Sequence, residues 1–119
     1  MLRNIQDHEN LKKNLEHMKA LTILGCSMKS LEVASTIRRE YPQIDLYVID
    51  ENDESALESQ FGESICQTFI KKHVNHGVKF LFKDKIKEFD VEEDHIHNIH
   101  FNSGINIQTD GVLCFPNNF

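Results

Sequence analysis

The chain has 119 residues, 39% hydrophobic content and a formal net charge of −6, which suits one modest core of single-domain size and lacks the basic patch of a nucleic-acid binder. Its acid excess lies in residues 50–63 and 88–94, while Lys71, Lys72, Lys79, Lys83, Lys85 and Lys87 are spread over helix and alternating strand and read as a solvated face. No apolar run reaches the ~20 residues of a membrane span and no signal-peptide core is present; Cys26, Cys66 and Cys114 are too widely spaced for a disulfide framework or zinc pattern and suit reduced thiols in an intracellular compartment.

In chain order, Asp7 can cap a short helix that buries Leu11, Leu15 and Met18. Residues 20–26 (ALTILGC) form an apolar run ending near glycine, suited to a strand covered on both faces. A helix is expected from Met28, with Leu31, Ala34 and Ile37 inward, and Pro42 marks its end. Residues 44–49 (IDLYVI) read as a second buried strand. The acidic loop 50–58 leads to a second helix with Ile65, Phe69, Ile70 and Val74 as the expected inner stripe and Gly77 after its end.

Residues 78–82 (VKFLF) give a third strand, after which the pattern changes. Segments 86–91, 95–101 and 105–108 are short and alternating, with turn chemistry at Asn102-Ser103-Gly104, and predict an antiparallel meander. Residues 111–115 (GVLCF) return to a buried strand. Strands alternating with helices imply a parallel sheet with right-handed crossovers. The predicted fold is a single α/β domain over residues 1–119: three layers, a central parallel sheet, and the meander as a crossover.

The run Gly25-Cys26-Ser27-Met28-Lys29-Ser30 stands where a dinucleotide fingerprint belongs, after a buried strand and before a helix. In Gly-x-Gly-x-x-Gly the glycines serve a tight turn, close approach to the pyrophosphate, and helix–strand packing. Here Gly25 keeps the first role, and Ser27 and Ser30 stand at the other two positions. The Ser27 hydroxyl can itself donate to a phosphate, and the helix start supplies free N–H groups. Asp50 ends the second strand, where an acid accepts from ribose hydroxyls and repels a 2′-phosphate; Glu51 is adjacent, and a one-residue slip would exchange them. The alternative is a βαβ unit with a small-residue turn and no nucleotide.

The segment LTILGCSMKSLEVASTIRREYPQIDLYVID resembles the NAD-binding domain of the pyridine nucleotide-disulfide oxidoreductase superfamily, most of all its apoptosis-inducing-factor-like and ferredoxin-reductase-like flavoproteins. Gly25, Glu32 and Ala34 match the first-helix pattern, with Ser30 replacing a glycine, and HGVKF and TDGVLCF extend the likeness along the chain. The resemblance implies an NAD(H) domain that places nicotinamide against a flavin, with FAD bound by other domains not found in this sequence. It assigns Gly25, Ser27, Met28 and Ser30 to the pyrophosphate loop, Asp50 or Glu51 to the adenosine ribose, and Glu32 to the nicotinamide end. The missing glycines, and the absence of one in CFPNN, keep open a second class: a non-catalytic Rossmann-like interaction or structural domain that has lost its nucleotide.

Other signals are weaker. His95 and His97 are expected to share a strand face and His100 the opposite one, which reads as a solvent-facing strand and not a metal site. Cys26 near a helix start reads as a small turn residue. With no Cys-x-x-Cys motif, disulfide reductase chemistry is unsupported.

Overall fold

A computed structural model describes residues 15–52, 61–93 and 95–114. The elements are β1 (Ala20–Leu24), α1 (Met28–Glu40), β2 (Asp45–Asp50), α2 (Glu63–Asn75), β3 (Val78–Phe82), β4 (Ile86–Glu92), β5 (His95–Phe101), β6 (Asn106–Gln108) and β7 (Val112–Cys114). The expected α/β architecture is present. Strands β3-β2-β1-β7 form a parallel sheet, and β4-β5-β6 form a separate antiparallel sheet. The predicted N-terminal helix lies largely outside the described residues; of its stripe, Leu15 is buried.

The two-residue period of the strands explains the three layers. Leu21 and Ile23 of β1 and Leu46 and Val48 of β2 pack with Leu31, Ala34 and Ile37 of α1 and Cys66 of α2. Tyr47 and Ile49 of β2 point the other way, against Ile99, Phe101 and Ile107 of the meander. The parallel sheet is therefore buried on both faces, helices on one side and meander on the other, as continuous apolar strands require. Thr22, fully buried on β1, is accommodated because its hydroxyl donates to Thr109 Oγ1 at 3.0 Å, and Thr109 donates onward to the Gly111 carbonyl at 2.8 Å. Asp110 completes this fastening of β7 to β1, accepting the N–H groups of Lys19 and Ala20 at 2.7 and 3.0 Å.

Three expectations need correction. The first strand ends at Leu24, leaving Gly25 and Cys26 in the loop, and the second extends to Asp50. The inner stripe of α2 is Cys66, Phe69, Ile70 and His73; Ile65 and Val74 are 49% and 51% exposed. The physical reason is His73, whose ring bonds the Phe69 carbonyl at 2.7 Å and the Leu31 carbonyl of α1 at 2.9 Å, so a polar residue occupies the helix–helix seam. On the meander, a register shift between Asp90 and Val91 leaves His97 outside the paired ladder, and strict alternation fails there.

Candidate nucleotide site

The chain leaves β1 through a tight turn at the carboxyl edge of the parallel sheet. Gly25 donates its N–H to the Ile49 carbonyl at 2.7 Å and has φ +92°. A side chain there would meet nothing within 4 Å, so this position needs glycine for its backbone conformation and leaves room in front of the turn. Ser27 is extended (φ −135°, ψ 172°) and caps α1, its hydroxyl oxygen accepting the Ser30 N–H at 3.2 Å. No acid occupies the first turn of α1, so the positive end of its dipole is not offset by its own side chains.

The two serine hydroxyls lie 3.1 Å apart. Ser30 is 1% exposed, and a buried hydroxyl donates to the acceptor it has. Either hydroxyl can be the donor, and with Ser30 as donor the Ser27 proton is left for a ligand. Ser30 takes the helix-packing position of the fingerprint, buried where α1 leaves the loop.

Asp50 shares the β2 face of Leu46 and Val48, which aims it at the start of α1. Its Oδ2 accepts the Cys26 N–H at 2.8 Å and its Oδ1 accepts the Asn52 N–H at 3.0 Å. Of the two adjacent acids, Asp50 grips the loop through the Cys26 N–H, while Glu51, just past the end of β2, is exposed and also lines the cavity. Each carboxylate oxygen keeps further lone-pair capacity for a hydroxyl donor. The strand end is pinned in turn by Lys83, in the left-handed region at φ 65°, whose N–H lies 3.1 Å from both the Asp50 and Asn52 carbonyls.

In front of this turn lies a cavity of about 340 Å³, lined by Gly25, Asp50, Glu51, Asn52, Asp84 and Cys114 among others. It sits where the chain order reverses around β1, with β2 on one side and β7 on the other, the position at which open α/β sheets bind ligands. Three carboxylates and no Lys or Arg line it among the described residues. Two like charges at 4 Å repel by about 1 kcal/mol in water and about 4 kcal/mol near a protein surface, so the cavity disfavours an additional phosphate beside Asp50.

Met28 and Glu32 lie elsewhere. They stand one turn apart on α1 and line a separate groove of about 830 Å³ between α1 and α2. The sequence-assigned residues therefore divide into Gly25, Asp50 and Glu51 at the cavity, Ser27 at the cap of α1 with Ser30 in its first turn, and Met28 and Glu32 along the groove side of the helix. Asn52, Asp84 and Cys114 were missed. Asp84 is held by the backbone and hydroxyl of Ser103, which arrives on the β5–β6 turn. Cys114 had a usable signal, since it falls near the end of the 111–115 strand, and a parallel sheet sets that end at the same edge as the end of β1.

A parallel sheet wound around a glycine turn, with an acid at the end of the next strand and an antiparallel meander as crossover, defines a Rossmann-like α/β domain. The pyridine nucleotide-disulphide oxidoreductase family model matches residues 1–115, and the chain belongs to that family. No curated protein matches it. A ferredoxin reductase from Rhodopseudomonas palustris is similar in structure, with TM-score 0.82, 19% identity, and coverage of 96% of this chain and 28% of that one. Putidaredoxin reductase, in its covalent complex with putidaredoxin, gives TM-score 0.82, 20% identity, and coverage of 95% and 27%. The water-forming NADH oxidase of Lactobacillus brevis bound to NADH gives 0.73, 16%, and coverage of 96% and 24%. At these identities the likeness concerns the fold, and the chain spans roughly a quarter of each relative's length. Among the described residues no helix is long and apolar enough to cross a membrane.

Proposed function

We propose that residues 1–119 are the NAD(H)-binding domain of an FAD-dependent NADH oxidoreductase of the apoptosis-inducing-factor-like type, with the flavin held by a partner domain. The observation that carries this reading is the Asp50 carboxylate fixed against the glycine turn at the cavity mouth. There it accepts from adenosine ribose hydroxyls while the start of α1 and the Ser27 hydroxyl face the pyrophosphate. The family resemblance assigns Glu32 to the nicotinamide end, although its position is in the groove between α1 and α2 and not at the cavity. Hydride transfer is chemistry the bound cofactors supply; this chain binds and orients.

Titration with NADH and NADPH tests the reading. NADH is expected to bind at least ~10-fold more tightly, and flavin-free protein is expected to show no diaphorase activity. Tighter NADPH binding would overturn the role of Asp50. A second reading, a family member that has lost its nucleotide, is favoured by one observation: the Cys26 and Ser30 N–H groups are already satisfied within the chain. Absence of binding by either nucleotide at millimolar concentration selects it.

A further inference from the structure

We propose that Asp84, fixed by Ser103, selects the base of the bound dinucleotide by accepting a hydrogen bond from the exocyclic amino group of adenine. This rests on the nucleotide reading, in which Asp50 takes the adenosine ribose and the base lies next to it. Small-molecule sites run from about 300 to 1,000 Å³. The cavity at Gly25, about 340 Å³, stands at the low end, so it receives one portion of a dinucleotide and not the whole.

The cavity has two kinds of wall. Asp50, Glu51 and Asn52 form a polar end at the close of β2. Leu24, Ile49 and Ile86 form an apolar floor that continues into the core between the parallel sheet and the meander. A phosphate or a ribose laid on that floor would give up water and gain no hydrogen-bonding partner from it. The purine is the one part of an adenosine half with apolar faces and polar atoms confined to its edge, so the floor suits the base.

Asp84 is half-buried and lines the same cavity as Ile86. Its place is set from two directions. Lys83, just before it, has its N–H 3.1 Å from both the Asp50 and Asn52 carbonyls, which keeps Asp84 beside the end of β2. Ser103, 19 positions on, donates its N–H to Asp84 Oδ1 at 3.2 Å and its hydroxyl to Oδ2. Each carboxylate oxygen retains lone-pair capacity, and a carboxylate has no proton to give, so the group it suits is a donor. Adenine presents an amino group at the edge position where guanine carries a carbonyl oxygen, as hypoxanthine does. Facing that oxygen, the carboxylate makes no hydrogen bond and repels it. Ser103 holds the carboxylate in position, and a site built to pair with a donor rejects the analogue that lacks it. The two acids thereby divide the nucleoside, ribose at Asp50 and base edge at Asp84.

The test titrates the isotope-labelled chain with NADH, with its hypoxanthine analogue, in which a carbonyl oxygen replaces the amino group, and with NADPH. NADH is expected to bind about tenfold more tightly than the analogue, the worth of one hydrogen bond to a charged group, with amide shifts at Leu24, Ile49, Ile86 and Ser103. Asp84→Asn, whose side chain can accept or donate, should make NADH and the analogue nearly equal while the NADH-over-NADPH preference, set by Asp50, is unchanged. Ser103→Ala should reduce the base preference in part, with circular dichroism confirming that each variant is folded. A purely structural Asp84 would lower all three affinities in proportion. A base preference that survives Asp84→Asn, equal affinities in the original chain, or shifts confined to α1 overturn the role of Asp84 and leave the nucleotide reading standing. Absence of binding by all three dinucleotides at millimolar concentration overturns both.

Discussion

The carboxylate of Asp50 accepts the backbone N–H of Cys26 at 2.8 Å across 24 positions of sequence. The acid at the end of β2 and the glycine turn after β1 are thereby one hydrogen-bonded unit, with Asn52 held by the other carboxylate oxygen. Whatever binds in the cavity meets a loop whose shape Asp50 already sets.

Asp50→Ala is expected to have two effects. It removes the acceptor of two backbone N–H groups, lowering stability by roughly 1–3 kcal/mol, and it narrows the NADH-over-NADPH preference because the like charge facing a 2′-phosphate is gone. Glu51→Ala, at an exposed position without that contact, should leave both nearly unchanged. Denaturant melts and parallel nucleotide titrations read the two effects separately. Equal behaviour of the two variants would dissolve the distinction.

Ser27 is the cap of α1, so Ser27→Ala should cost about 1 kcal/mol and Ser27→Gly only a few tenths. Ser27→Asp should retain the cap but place a negative charge where a pyrophosphate would lie, so its stability stays near the original while nucleotide affinity falls. Urea titration and nucleotide binding, measured on the same samples, separate capping from ligand contact.

The register of α2 is tested by a pair of substitutions. Cys66 is fully buried against the sheet and Val74 is half exposed. Cys66→Asp should destabilise by several kcal/mol through burial of a charge, whereas Val74→Ser should fall within about 0.5 kcal/mol of the original. The reverse ranking would restore the stripe read from the sequence.

His100 ties the three meander strands, its ring nitrogens lying 2.6 Å from Asp90 Oδ2 on β4 and 2.5 Å from Asn106 Oδ1 on β6. The hydrogen bond to Asp90, then that to Asn106, raises its pKa above 6.5; Coulombic attraction from Asp90 and Glu88 adds to this and desolvation opposes it. A raised folded pKa contributes stability that is fully present below the unfolded value of about 6.5 and is lost as pH rises through the folded value. His100→Gln should therefore cost more stability at mildly acidic than at mildly alkaline pH. A pH-independent difference in unfolding midpoint would remove the charged clamp.

The sequence by itself determined the layer order, because apolar runs without alternation demand cover on both faces and alternating segments with an Asn-Ser-Gly turn demand a meander. It also determined the turn: Gly25 before a helix start, and an acid one strand later. Local chemistry suffices for both. It did not determine which acid faces the loop, since Asp50 and Glu51 differ only by the strand's two-residue phase, and β2 extends one residue farther than its apolar run. Nor did it reveal that Asp84 joins the cavity through Ser103, 19 positions away, or that His73 replaces Val74 at the helix seam by bonding the Leu31 carbonyl, 42 positions away. Those assignments depend on which backbone carbonyl or N–H group stands opposite a side chain, and the packing of sheet, helices and meander decides that.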